Sequence, residues 1–323
     1  MTSPKQNDLT LEKVRGVVET VLPKKKLIKV QNRGLWVRQI YELIFDGGER
    51  AFMKLHVHLE WLDSTKTEAM LCDLLHKHHL PSPETIFVDS TGEYLGFPFI
   101  IQSALPGKPM FSLLDEINTE DWPTLFSAVG NTYARMHAIK GPASGVWDGS
   151  LEKTRPISPN DYYFKYELQN GSGRSAVECG RISQSEFEKI ITLWEEALPT
   201  LKSHEPSLVH GSAFPWTICL SQTGGLWQVS RLNALGDFLW WDPAYDQACL
   251  VFPPGYSWPE FCIEAFWDAY GAEPDAWRIQ LYALMQHLCA LNGTFLPPQL
   301  PSSALQLTDQ EMVARLRRIL ALF

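Results

Sequence analysis

The fold of this chain is decided by residues 37–57, VRQIYELIFDGGERAFMKLHV. Two runs rich in β-branched and aromatic side chains flank Asp46-Gly47-Gly48, and this arrangement predicts a β-hairpin. A further run of the same kind, KKLIKVQ (25–31), precedes the hairpin and predicts another strand. The chain therefore begins with an antiparallel sheet, after an amphipathic opening segment.

The pattern continues outward with one helix and two more strands. Residues 64–80, STKTEAMLCDLLHKHHL, carry a hydroxyl residue ahead of an acidic first turn and apolar positions at helical spacing. TIFVD (85–89) and FPFIIQSAL (97–105) predict strands, and the following PGKP marks a break. We expect an N-terminal lobe over 1–103 and a C-terminal lobe over 104–323.

Helical periodicity dominates the rest of the chain. It is found in DWPTLFSAVGNTYARMHAI, SQSEFEKIITLWEEALPTL, PEFCIEAFWDAY, DAWRIQLYALMQHLCAL and TDQEMVARLRRILALF. The Gly/Ser run NGSGRS (170–175) predicts a flexible loop. A five-stranded antiparallel part followed by a mostly helical part is an α+β arrangement, and ligands usually bind between such lobes.

Composition limits the partners and the compartment. The 323 residues carry a net charge of −9, which gives no general attraction to nucleic acid or to an anionic membrane. The six cysteines show no metal-binding or paired spacing, and no apolar stretch is long enough to span a bilayer. We therefore expect a cytoplasmic protein with reduced thiols, a small-molecule ligand and neither nucleic-acid nor membrane partners.

Several motifs in order resemble the aminoglycoside phosphotransferase and choline-kinase-like family. They are a hinge at FPFIIQSALPGKP, a helix at GNTYARMHAI, a loop at SLVHGSAFPWTICL, the segment WWDPAYDQA and a closing helix at RIQLYALMQHLCALNG. The resemblance covers about residues 27 to 295 and implies a protein-kinase-like, two-lobed α+β fold. It implies phosphoryl transfer from ATP with magnesium, in which Lys54 binds nucleotide phosphates and Glu68 orients Lys54.

The chain departs from the family pattern where that chemistry resides. The family loop has His-Gly-Asp and then Asn five residues after the Asp, whereas this chain has His210, Gly211, Ser212 and then Thr217. A serine hydroxyl cannot replace an anionic base, and threonine is a poorer magnesium ligand than an amide or carboxylate oxygen. The nucleotide-covering loop would be VQNRGLWVRQ (30–39), which has one glycine and the bulky Trp36.

The second metal ligand of the family falls at Arg231, Ala234 or Asp237, depending on the gap placed in the alignment. An arginine there would repel magnesium, whereas Asp237 would keep the chemistry. We take His210, Ser212 and Asp237 as candidate catalytic residues, although the family uses this histidine structurally. We assign no metal site.

Aromatic residues surround the same loop. The candidate substrate pocket consists of Phe214, Trp216, Thr217, Trp240, Trp241 and Asp242. The alternative for the rings, above all for Trp240 or Trp241, is ordinary core packing. An aromatic lining would suit an apolar ligand better than a nucleotide triphosphate and its metal.

Three functions remain open from the sequence. The favoured hypothesis is a kinase-like protein that has lost phosphoryl transfer, binds an apolar small molecule and acts as a cofactor-free cyclase of secondary metabolism, for example of the Diels–Alder type. The second is a divergent ATP-dependent small-molecule phosphotransferase with a cationic substrate, because residues 55–323 carry an acidic excess. The third is a non-catalytic pseudokinase that binds a partner.

Overall fold

A computed structural model describes residues 10–33, 39–55, 65–146, 155–156, 171–202, 205–272, 274–291 and 305–323. The chain forms two compact units, Met1–Leu105 and Pro106–Phe323. The first is named the sheet unit and the second the helical unit.

The sheet unit is built on an antiparallel sheet. Its strands are β1 (Leu27–Asn32), β2 (Gln39–Phe45), β3 (Arg50–Leu55), β4 (Thr85–Asp89) and β5 (Phe99–Ser103). They lie in the order β1-β2-β3-β5-β4, and every neighbouring pair is antiparallel. Helix α1 (Leu11–Val21) precedes β1, and α2 (Thr65–Lys77) lies between β3 and β4. The predicted five-stranded antiparallel part is confirmed.

The central hairpin forms where the turn signal predicts it. Tyr41 of β2 faces Met53 of β3, and both side chains are buried. Gly47 and Gly48 have φ angles of 83° and 84°, which side chains disfavour and glycine adopts freely. The two glycines therefore allow the tight turn that sets the register of the hairpin.

Helix α1 covers the sheet and completes the core of this unit. The Thr10 side chain accepts a hydrogen bond from the Lys13 backbone N at 3.2 Å, which caps the helix. Val14, Val17 and Val18, spaced for one helix face, pack among buried strand side chains. Burial of this face accounts for the amphipathic pattern of the opening segment.

The helical unit contains most of the remaining secondary structure. Its helices are α3 (Trp122–His137), α4 (Ser172–Glu178), α5 (Gln184–Lys202), α6 (Ala244–Val251), α7 (Glu260–Tyr270), α8 (Ala276–Ala290) and α9 (Asp309–Leu320). Helix α3 packs on α7, while α8 packs on both α6 and α9. The predicted mostly helical remainder is confirmed.

Two small sheets of the helical unit hold the loop that carries His210. One has the strand order β11-β10-β6, and the other has the order β8-β7-β12-β9. The strands are β6 (Lys108–Pro109), β7 (Gly145–Val146), β8 (Arg155–Pro156), β9 (Ser207–Val209), β10 (Ile218–Thr223), β11 (Leu226–Leu232) and β12 (Leu239–Trp241). The loop runs from β9 to β10, so each end is fixed by a different sheet.

The loop predicted from the Gly/Ser run is wrong for the part that the structure describes. Helix α4 begins at Ser172 and includes Arg174 and Ser175. Ala176 is fully buried, and the helix packs against α5 and α8. Tertiary packing therefore overrides the low helix propensity of glycine and serine here.

Among the described residues, none of the helices has both the length and the apolar character needed to cross a membrane.

Candidate active site

A lysine on a strand and a glutamate on a helix form an ion pair in the sheet unit. Lys54 lies on β3 between Ile40 and Ile100 of the neighbouring strands, and its Nζ is 2.7 Å from Glu68 Oε1. The side chain of Lys54 is 21% exposed and that of Glu68 is 1% exposed. A carboxylate this deeply buried requires a partner, so the pair fixes the position of the ammonium group.

Cys72 lies one turn after Glu68 and stays neutral. Burial, followed by the nearby charge of Glu68, raises the pKa of the Cys72 thiol to about 12. Its sulfur accepts a hydrogen bond from Gln102 Nε2 at 3.2 Å. The thiol is therefore a packing group and not a nucleophile.

Residues 34–38, which include Trp36 of the predicted nucleotide-covering loop, lie outside the described residues.

In the helical unit, the Asp246 carboxylate accepts hydrogen bonds from the backbone of the His210 loop. Its side chain is fully buried on α6. Oδ2 accepts from the backbone N of His210 at 2.6 Å, and Oδ1 accepts from that of Gly211 at 3.0 Å. His137 Nε2 on α3 lies 3.2 Å from Oδ2, and it must donate because a carboxylate only accepts. Three donors thus converge on one carboxylate.

The same network extends to α7. Nδ1 of His137 lies 2.9 Å from the Tyr270 hydroxyl, within hydrogen-bonding distance. Burial raises the pKa of Tyr270 to about 12, so the hydroxyl keeps its proton at neutral pH. The network joins three helices to the loop, and two of its hydrogen bonds hold the loop backbone directly.

His210 has both ring nitrogens bonded to the backbone. Nε2 is 2.7 Å from the Asn233 carbonyl oxygen and therefore donates, while Nδ1 accepts from the Ser212 backbone N at 3.3 Å. Burial lowers the pKa of His210 and outweighs the opposite effect of Asp246 and Asp237. The ring is consequently neutral, in one tautomer, and committed to shaping the loop.

Ser212 and Asp237 contact each other directly. The Ser212 hydroxyl donates to Asp237 Oδ2 at 2.7 Å, which is an ordinary length for a hydrogen bond to a carboxylate. Neither side chain is fully buried. The structure therefore unites the three predicted catalytic residues around one loop, with His210 supporting the backbone and the other two presenting polar side-chain atoms.

Backbone geometry brings this pair together. Gly211 has a φ of 76°, and a Cβ at this position would lie 2.0 Å from the backbone oxygen of Asp237. Ala234, three residues before Asp237, has a φ of 57°, which is uncommon for a residue with a side chain. Only glycine fits at position 211, because the two backbone segments approach so closely.

Thr217 is used inside the loop. Its hydroxyl accepts from the backbone N of Phe214 at 3.1 Å, and it lies within donating distance of the carbonyl oxygens of Ser212 and Phe214. The residue is 7% exposed. The Thr217 hydroxyl is therefore used as donor and acceptor within the loop, where it closes the turn between Ser212 and β10.

The predicted aromatic pocket residues divide into core and partly exposed side chains. Phe214, Trp240 and Trp241 are at most 2% exposed, and both tryptophans lie on β12, which pairs with β9 and β7. Trp216 is half-buried and stacks on Phe214, with ring centroids 4.7 Å apart. Of these four, Trp216 alone offers a substantial surface outside the core.

Asp242, the remaining predicted pocket residue, points into the protein. It is 5% exposed, its Oδ1 accepts from the Ala244 backbone N at 3.0 Å, and its Oδ2 is 3.6 Å from Arg278 Nη1. The carboxylate thus caps the start of α6 and balances an arginine of α8. Asp246, His137 and Tyr270 were not predicted as site residues, although WWDPAYDQA contains Asp246 and marks its segment.

The side chains around this loop do not fit the magnesium site that the resemblance implies. Magnesium requires hard oxygen ligands in octahedral geometry, and Thr217 and Asp242 are engaged within the protein. Arg231, on β11, donates from Nη2 to Cys219 Sγ at 3.2 Å and places a cation beside the loop. Ala234 has no ligand atom in its side chain, which leaves Asp237 as the remaining candidate. Across the part of the chain that the structure describes, no three His, Cys, Asp or Glu residues are grouped to hold a metal ion.

The fold and the loop define a protein of the kinase-like phosphotransferase class. A model of the phosphotransferase enzyme family (APH) matches residues 31–279. The chain belongs to this family. The sequence-based recognition of the family is thus confirmed, whereas the individual roles of the site residues stay predictions. A comparison with proteins of curated function finds no match.

Solved structures of similar fold include an aminoglycoside phosphotransferase and a macrolide phosphotransferase. A variant of aminoglycoside 2'-phosphotransferase-IIIa in complex with GDP is 12% identical, with a TM-score of 0.65 and coverage of 97% of this chain and 96% of that chain. Macrolide 2'-phosphotransferase MphH from Brachybacterium faecium is 16% identical, with a TM-score of 0.59 and coverage of 95% and 98%. At these identities the similarity shows the kinase-like fold.

Proposed function

We propose that this phosphotransferase-family chain no longer transfers phosphoryl groups by the route of its family, and that it binds a small, mainly apolar molecule on which it acts as a cofactor-free cyclase. The hydrogen bond from Ser212 to Asp237 carries the proposal. At position 212 the family pattern requires an anionic group that orients or deprotonates the substrate hydroxyl. A neutral hydroxyl that already donates its proton to a carboxylate cannot perform that step.

The loss of phosphoryl transfer extends beyond one residue. Thr217, at the position of the first metal ligand, closes the loop with its hydroxyl, and Arg231 adds positive charge nearby. Phosphoryl transfer depends almost entirely on positioning and on neutralising the phosphate charge with metal ions. A loop that lacks both the base and a suitable ligand set cannot supply this stabilisation.

A cyclisation makes lighter demands on the same loop. It requires the reacting ends of one molecule to be held close together, which by itself can lower a barrier by roughly 7 to 11 kcal/mol in well-oriented systems. Trp216 offers a flat apolar surface supported by the stacked ring of Phe214. The Asp237 carboxylate can accept a proton or hold a polar group of the substrate, and Ser212 fixes its orientation.

A second candidate is supported by the sheet unit. The Lys54–Glu68 ion pair has the residues and the 2.7 Å separation that a nucleotide phosphate site requires. It favours a divergent ATP-dependent phosphotransferase that uses Asp237 and acts on a cationic small molecule. Relatives bind such ligands: one solved structure is a complex of APH(2'')-IIia with GDP and kanamycin.

Calorimetric titration with ATP and magnesium separates the two candidates. The proposal expects no saturable binding and no ATP turnover with small alcohols or amines. Micromolar binding together with metal-dependent ATP turnover, both lost in Lys54→Ala but retained in the exposed strand variant Lys29→Ala, would support the phosphotransferase and overturn the proposal.

A gain-of-function variant tests the cause directly. If Ser212 and Thr217 alone block the family chemistry, Ser212→Asp combined with Thr217→Asn should create magnesium-dependent ATP binding that the unaltered protein lacks. A separate experiment tests cyclisation. The protein is incubated with linear polyene or polyketide substrates, and chromatography with mass spectrometry looks for a product that has the same mass as the substrate. Loss of cyclisation in Asp237→Asn, with folding retained, is the expected result.

A further inference from the structure

A groove on the helical unit lies apart from the residues of the His210 loop. It encloses about 340 Å³ between the end of α6, the segment that follows it, α7 and α9. Its floor includes Val251, Trp258 and Ile319, which are 4%, 7% and 7% exposed. Ile263 of α7 and Leu322, beyond α9, form its sides. A volume of this size is in the range of small-molecule sites.

The apolar lining of the groove is open to solvent on one side. Leu322 is 64% exposed, although it borders buried apolar side chains. The ring of Trp258 is anchored by stacking on Tyr256, with centroids 5.8 Å apart, and its Nε1 donates to the Leu250 carbonyl at 2.8 Å. Two contacts therefore fix the orientation of the Trp258 ring, against which an apolar ligand would bury surface.

Two arginines of α9 give the groove a positive edge. Arg315 Nη1 donates to the Tyr256 carbonyl oxygen at 2.6 Å, which points the guanidinium along the groove wall. Arg318, one turn later, is exposed and lines the same groove. Burial, and then the charge of Arg318, lowers the pKa of Arg315, while the charge of Glu311 acts in the opposite direction. Arg315 and Arg318 therefore repel each other, and Glu311 offsets part of this repulsion. An anion placed at this edge would relieve that repulsion.

Glu311 of α9 caps its own helix and also acts on Arg315 electrostatically. Both the backbone N and the hydroxyl of Thr308 donate to Glu311 Oε2, at 2.8 and 2.7 Å, which forms a capping box at the start of the helix. Arg317, on the same helix, pairs with Glu186 of α5 and does not line the groove. Arg315 and Arg318 thus differ from Arg317 in forming no ion pair with a carboxylate of the described residues.

We propose that this groove, formed by Val251, Trp258, Ile263, Ile319 and Leu322 with Arg315 and Arg318 at its edge, is a binding site for a medium-chain carboxylate. A groove of about 340 Å³ accommodates a small molecule, and an apolar floor beside two cations suits an alkyl chain that ends in a carboxylate. The chain of the acid would cover the apolar floor, while the carboxylate would accept hydrogen bonds from the two guanidinium groups. The site is independent of the proposed cyclase activity.

Calorimetric titration of the full chain with sodium octanoate, below its micelle concentration, tests the site. We expect saturable binding of one octanoate, binding of 1-octanol that is roughly tenfold weaker, and no binding of octylammonium. Equal affinity for the acid and the alcohol would overturn the assignment of the arginines. No saturable octanoate binding at millimolar concentration would overturn the site.

Variants locate the binding. Arg318→Gln should weaken octanoate about tenfold, and Ile263→Trp, which fills the groove, should abolish binding. Arg317→Gln is the matched control on the same helix and should bind octanoate normally. Octanoate affinity that is unchanged in both groove variants, with melting temperatures preserved, would place the ligand elsewhere. If the chain self-associates and Ile263→Trp prevents this without any octanoate effect, the groove is an interface between copies and the proposal fails.

Discussion

The two units differ in how closely they follow the family pattern. In the sheet unit, Lys54 and Glu68 form the ion pair that the pattern implies. In the helical unit, the loop after β9 keeps His210 and Gly211 but has Ser212 where the pattern has an aspartate. The retained residues of this loop have backbone partners: Asp246 holds two loop amides, and His210 bridges Asn233 and Ser212. The Ser212 side chain, which replaces the aspartate of the family pattern, donates a hydrogen bond to one side chain, that of Asp237. The comparison shows that the groups which hold the backbone of this loop are distinct from the side chain at position 212, where the chain departs from the family pattern.

The largest effect is expected from Asp246→Ala. Removal of this carboxylate leaves two backbone donors and the His137 ring without an acceptor in a fully buried place, which should cost about 4 kcal/mol of unfolding free energy. Urea denaturation measures it. The exposed Asp268→Ala on α7 is the control and should change stability by less than about 0.5 kcal/mol. A small effect of Asp246→Ala would show that the loop does not depend on this support.

Acid should weaken the helical unit before the sheet unit. Burial lowers the pKa of His287 to about 4 from an ordinary 6.5, so the unfolded chain takes up this proton first as the pH falls. Stability from this residue is full above pH 6.5 and declines towards pH 4, by about 3 kcal/mol in total. Hydrogen exchange between pH 7 and 4.5 should show earlier loss of protection in α8 than in β3. His287→Leu should flatten the decline, and an unchanged decline would contradict this cause.

A smaller effect is expected from breaking the ion pair of the sheet unit. Glu68→Gln leaves the ammonium of Lys54, which is one-fifth exposed, beside a neutral amide and should cost about 1 to 2 kcal/mol. Glu49→Gln, which removes an exposed partner of Lys25 in the same unit, should cost under about 0.5 kcal/mol. Equal losses in the two variants would indicate that the Lys54 pair is an ordinary surface contact.

The smallest effect is expected at the exchanged position itself. Ser212→Ala removes one hydrogen bond to a partly exposed carboxylate and should cost about 1 kcal/mol. Ser185→Ala on the exposed side of α5 is the control, and both can be measured by thermal unfolding. A loss at Ser212 as large as that at Asp246 would remove the distinction between support and reactive group.

Much of the fold could be predicted because its signals are local. The turn at Asp46, Gly47 and Gly48 and the periodicity of α2 and α3 arise within short stretches of sequence. Helix α4 was missed because its stability comes from packing on α5 and α8, which no local pattern records. Glycine and serine content alone therefore predicted a loop at the wrong place.

The site was only partly predictable, since side-chain direction is a tertiary property. The loop motif identified His210 and Ser212, but not that the histidine would have both nitrogens occupied by backbone groups. The aromatic count around WWDPAYDQA could not show that Trp240 and Trp241 lie in the core. The groove beside α9 was invisible to sequence reasoning, because its lining comes from four separated segments.

The close approach of Gly211 to the backbone of Asp237 has a consequence for protein engineering. Because Asp246 accepts a hydrogen bond from the Gly211 backbone N and residue 211 packs on the backbone of Asp237, main-chain contacts set the path of the loop more than the side chain at position 212 does. A designer could therefore vary residue 212 in a library while keeping 211 fixed, and sample new chemistries on an unchanged frame.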